Sequence, residues 1–182
     1  MKKDVLEVAS LTPQEADTLA KIFLATVQRE AATTSRVLHA VPNDKCSYRP
    51  HENSRTALEL AWHLAQADIW FLRSFLVGNF EMHEDEESVP SDMSAADIAS
   101  MYDDAFAIKI EKVKKLTPEF WAKRMEFFGM YNQPAVLYLQ FMLNHAIHHR
   151  GQLTTYLRPM GAKVPNIYGG SLDEPMEFGD SE

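Results

Sequence analysis

Residues 135–143, AVLYLQFML, place apolar side chains on nearly every side of a helix. Such a helix must be surrounded, because no face of it is polar enough to meet water. The rest of the chain offers it helical partners. From Ala16, apolar residues recur as Leu19, Ala20, Phe23, Leu24, Val27 and Ala31, the spacing of one helical face. Thr12 is placed to cap this helix, Pro13 suits its first turn, and Glu15 can close a capping box. The stripe continues through Leu38 and stops before Pro42. A second stripe reads Leu60, Leu64, Ala67, Phe71 and Phe75, behind Ser54 or Thr56 as the cap and Glu59 as its partner. A third helix opens at Ser94, with Asp97 in its first turn. It carries Ile98, Met101, Tyr102, Ala105 and Ile108 and ends near KKLTPEF. The fourth runs from Pro134 to about Arg158. Gly151 lies inside it at a cost of up to about 1 kcal/mol against alanine, which close approach of a neighbouring helix would explain.

Strands are hard to find. Residues 41–53 carry prolines and turn formers and read as a loop, and residues 120–133 read as an irregular link with a short extended piece. The predicted class is all-α: a four-helix bundle with long inter-helix connections, which do not require up-down-up-down order. One domain is expected over residues 1–182, with a mostly irregular tail from about residue 161.

Charge narrows the partners. The net charge is -8, and no Lys or Arg lies between Arg73 and Lys109, where nine acidic residues fall. Phosphate backbones need stripes of Lys and Arg, so nucleic acid is not an expected partner. The segment HEDEESVPSD reads as a solvated loop, since it lacks the spacing of a calcium loop. No apolar run reaches the roughly 18 residues of a membrane span, so no membrane partner is expected. The opening residues MKKDVLEVAS lack the apolar centre of a secretory signal, and a cytoplasmic location is expected. The lone Cys46 cannot form an internal disulfide and reads as a loop thiol.

The chemistry concentrates in LNHAIHHRGQL, residues 143–153. His145 and His149 are four apart, so both lie on one helical face and can reach one ion. A third ligand must come from elsewhere, and His63 sits inside the apolar stripe of the second helix. By pattern alone these are either metal ligands or hydrogen-bonded core histidines. His148 competes with His149, but His145, His149, Gln152 and Tyr156 form one continuous polar line, which favours His149. His39, His51 and His83 lie in or near loops and take no role. Three neutral imidazoles suit a borderline divalent ion, zinc or nickel ahead of iron, cobalt or manganese, with a coordination position left open.

The segments ELAWHLAQAD and NHAIHHRGQLTTYLRPMGAKVPNIYG resemble the DinB/YfiT-like family over nearly the whole chain. The resemblance implies a four-helix bundle holding a divalent metal through His63, His145 and His149. It also implies relatives that include thiol-dependent transferases, isomerases and hydrolases. Three functions are therefore expected to compete: a metal-dependent transferase using a low-molecular-weight thiol, a metal-dependent hydrolase, and a non-catalytic metal-stabilised binding or dimerisation module. The expected partner is a small-molecule substrate, and a homodimer is expected. Asp68 and Glu59 are candidate general bases but read as surface charges, and Arg150 and Arg158 are candidate holders of an anionic substrate or thiol carboxylate but read as helix-surface ion pairs.

Overall fold

The computed structural model describes residues 10–81 and 88–176. The opening segment, His83 and most of the acidic stretch of HEDEESVPSD lie outside the described residues. Four long helices carry the fold: α1 (Pro13–His39), α2 (Ala57–Val77), α3 (Ala95–Val113) and α5 (Leu137–Leu157). A short α4 (Pro118–Ala122) and an antiparallel hairpin of β1 (Arg124–Phe127) and β2 (Tyr131–Pro134) join α3 to α5.

Local chemistry starts three of the long helices where the sequence says it should. Thr12, Thr56 and Ser94 each cap a helix N-terminus, and each is matched by a capping box through Glu15, Glu59 or Asp97. Gly78 ends α2 in the left-handed conformation at φ +85°. The link predicted as irregular is instead the ordered α4 and hairpin. Pro134 belongs to β2, and α5 begins three residues later, at Leu137.

Each of α1 and α2 packs against both α3 and α5, while α1 and α2 do not pack closely on each other. The sequence-adjacent helices α1 and α2 thus lie across a diagonal of the bundle. The core between them is continuous, from Ala16, Leu24 and Val27 through Leu64 and Phe75 to Ile98, Leu139 and Leu157. The buried stripe of α3 is Ile98, Tyr102, Phe106, Ile110 and Val113. Ile108, expected inside, is 59% exposed, because the face of α3 turned to the core lies half a turn away from it.

Two other expectations are corrected. The α5 segment is not enclosed on every side: Gln140 and Phe141 are exposed, with Phe141 facing an open cleft. Gly151 meets no neighbouring helix, since a Cβ built there has nothing within 4 Å. The tail folds back on the bundle through ion pairs of Arg158 with Asp173 and Arg36 with Glu174. Among the described residues no helix is long and apolar enough to cross a membrane.

Candidate metal centre

α2 and α5 pack side by side, and their facing surfaces bring His63, His145 and His149 together. One nitrogen from each ring lies within 4.8 Å of the other two. The Nε2 atoms of His63 and His149 are 3.2 Å apart. Two nitrogens bound tetrahedrally at about 2.0–2.1 Å to one ion stand roughly 3.3 Å apart, so this separation fits a shared cation.

The protonation of His149 follows from its neighbour. Gln152 Oε1 lies 2.8 Å from His149 Nδ1, and Gln152 Nε2 lies 3.1 Å from Nε2 of the exposed His148. An amide oxygen only accepts, so His149 Nδ1–H donates to it. That leaves a bare lone pair on Nε2, directed at His63. His145 Nδ1 is buried with no hydrogen-bond partner. The cluster therefore holds more nitrogen capacity than the protein itself uses.

Electrostatics keeps these rings uncharged. Burial, helped by the positive charge of Arg55, pushes His63 down to about 4. Burial, followed by the neighbouring rings, pushes His145 down to about 3. Burial also lowers His149, against the hydrogen bond to Gln152. At neutral pH all three carry free lone pairs, the state a metal ligand needs.

With His149 behind them, the other two histidines, His63 and His145, line a cleft of about 410 Å³. Its walls are aromatic: Trp70 and Phe71 from α2, Phe127 and Phe128 from the hairpin, and Phe141 from α5. Arg55, just before α2, lines the same cleft, and no carboxylate does so among the described residues. The sequence reading missed this wall. Trp70 stands seven residues after His63 and Phe141 four before His145, so helical spacing could have found both. Nothing local marked Arg55, or Phe128 at the hairpin tip.

The other candidates lie elsewhere. Asp68 is not a surface charge: it is 2% exposed, and Tyr102 OH donates to its Oδ2 at 2.9 Å. Burial raises it to about 7, against the Tyr102 hydrogen bond and the charge of Arg150. Glu59 caps α2. Arg150 is 1% exposed, not on the surface; it donates at 2.6 Å to Glu30 Oε2, which also accepts from Tyr168 OH. Burial works against the charge of Glu30, but these hydrogen bonds and the guanidinium outweigh it and hold its carboxyl below its ordinary value. Arg158 makes the surface pair expected of it. His39 pairs with Asp103, and His51 Nδ1 accepts from the Asn53 backbone N–H.

Comparisons with known proteins agree with this architecture. The chain is 30% identical over 158 residues to an uncharacterized protein of Bacillus subtilis (strain 168), YrdA, covering 86% of this chain and 92% of that one. The crystal structure of a DinB-like protein from Bacillus cereus ATCC 10987 superposes with a TM-score of 0.69 at 28% identity, covering 80% of this chain and 95% of that one. The crystal structure of a mycothiol-dependent maleylpyruvate isomerase shares the fold at a TM-score of 0.52 and 16% identity, covering 85% of this chain and 65% of that one. The sequence pattern of the DinB family matches residues 14–178, from the first turn of α1 past the tail's contact at Tyr168, and this chain belongs to that family.

Proposed function

We propose that this protein binds one divalent metal ion through His63, His145 and His149 and works as a metal-dependent transferase of a low-molecular-weight thiol. The observation that carries the reading is the convergence of three uncharged imidazoles, two of which line a cleft large enough for a small molecule. A bound ion would supply Lewis acidity, which lowers the pKa of a coordinated thiol enough to ionise it at neutral pH. The chain's own residues would do the rest. Gln152 fixes the ring of His149, the aromatic walls offer an apolar surface to a substrate, and three protein ligands would leave one coordination position open. The all-nitrogen donor set suits zinc or nickel ahead of iron, cobalt or manganese.

Hydrolysis would call for a base to prepare water, and no carboxylate lines the cleft among the described residues. That favours thiol transfer over the hydrolase reading. The thiol-dependent isomerase offers a precedent for thiol chemistry on this bundle, at the level of fold alone.

Elemental analysis of the untagged protein is expected to find about one equivalent of a divalent metal, lost in His63→Ala, His145→Ala and His149→Ala. Loaded protein is then expected to consume an electrophile only when a thiol is added. Ester hydrolysis without thiol would replace this reading with the hydrolase, and firm metal binding without turnover would replace it with a binding module.

A further inference from the structure

The cleft is asymmetric along α2. Arg55 stands immediately before the helix, His63 lies two turns in, and Trp70 follows two turns later. The guanidinium of Arg55 makes no hydrogen bond or ion pair among the described residues, and it is the sole charged side chain lining the cleft among them. At the other end the side chains are flat and apolar: Trp70, Phe128 and Phe141.

Phe128 is held there against its backbone preference. Met130 N–H donates to the Phe127 carbonyl at 2.9 Å, closing a turn whose central residues, Phe128 and Gly129, have φ of +50° and +68°. Turns with two successive positive φ angles favour Asn-Gly, and a bulky residue in the first position is strained. Yet Phe128 is 42% exposed, and its ring lies nearly parallel to Trp70, at 14° and 6.2 Å between centroids. Strain that local chemistry does not require points to a use for the side chain.

We propose that the cleft takes a small amphipathic carboxylate. Arg55 holds the carboxylate, and the wall made by Trp70 and Phe128 takes the flat apolar part. The proposal names the substrate class for the site described above and rests on reading that cleft as a small-molecule site, but neither anchor needs the ion. A guanidinium matches a carboxylate through two parallel hydrogen bonds, and the apolar end gains by leaving water. A ligand held at both ends lies beside His63 and His145.

Isothermal titration calorimetry tests this on the full chain, both zinc-loaded and EDTA-stripped, with 4-phenylbutyrate, 4-phenylbutanol and butyrate as probes. In the wild type, 4-phenylbutyrate is expected to bind at least about tenfold more tightly than either other probe. Arg55→Gln should weaken 4-phenylbutyrate roughly tenfold and leave 4-phenylbutanol unchanged. Phe128→Asn should weaken both phenyl probes without lowering Tm, because asparagine tolerates the turn. Dependence on Arg55 and Phe128 in both preparations, with no zinc taken up, would keep this proposal and remove the metal reading. Zinc uptake with probe binding indifferent to Arg55 and Phe128 would do the reverse. Phe128→Asn that lowers Tm and leaves affinity intact would make the ring a structural stack and overturn its role here.

Discussion

Gln152 touches two histidines and fixes the lone pair of one. Its amide oxygen takes the Nδ1 proton of His149, so the ring presents Nε2 to His63. Groups that orient a metal-ligating histidine in this way typically govern about 10–100-fold in metal affinity. Gln152→Ala is therefore expected to weaken zinc binding by about that factor in a chelator competition, while urea stability of the stripped protein changes by no more than about 0.5 kcal/mol. Arg150, two residues earlier, points into the bundle and answers a different need. It is fully enclosed against Glu30, with Tyr168 closing the cluster. Arg150→Ala would leave a buried carboxylate without its counter-charge, and urea denaturation is expected to show a loss of about 3–5 kcal/mol. The sequence marked Gln152 as one of a polar line but could not separate Arg150 from a surface arginine. Adjacent residues on a helix face different ways, and which way is inside depends on what packs there.

Among the elements, those with complete local instructions were legible. α1, α2 and α3 begin at side chains that cap them, and those contacts span only three residues. The hairpin carried no such signal. Its strands are four residues each, only β1 alternates, over too short a run to mark a strand, and its turn is Phe-Gly where Asn-Gly would announce a hairpin. α5 was read correctly as a helix and wrongly as fully enclosed, because an apolar wall of a cleft and an apolar core face look alike in sequence. Gly151 shows the same limit in reverse. It is exposed with open space at its Cβ position. Gly151→Ala is therefore expected to raise stability by about 0.5–1 kcal/mol in urea denaturation, through helix propensity alone.

For the whole molecule, the buried titratable groups set the response to acid. The pKa values of His63 and His145 are lowered to about 4 and about 3, and that of His149 is lowered too. Below their ordinary value of 6.5 the unfolded chain therefore binds protons that the folded chain refuses, and stability falls as pH falls. Asp68 opposes them. Its pKa, raised from 3.8 to about 7, means that the folded chain binds a proton the unfolded chain releases in that range. Three groups act against one. EDTA-treated protein is expected to lose about 1–3 kcal/mol between pH 6.5 and 4.5, allowing for the partial exposure of the rings. Urea denaturation across that range checks it, and Asp68→Asn should steepen the loss by removing the opposing proton. Zinc is expected to raise Tm at pH 7 and to lose that effect by pH 4.5, as protons compete for the same nitrogens.

By itself the sequence determined the four long helices, the caps that start α1 and α3, and the two helices that would carry the histidines. Those features depend on residues within a turn or two of each other, where spacing is geometry. Only the tertiary structure decided that Asp68 and Arg150 are buried, that the link after α3 folds into a hairpin, and that Arg55, Trp70, Phe128 and Phe141 meet around the histidines. These depend on how α2, the hairpin and α5 stand against one another, and the surface each residue faces belongs to another element far along the chain.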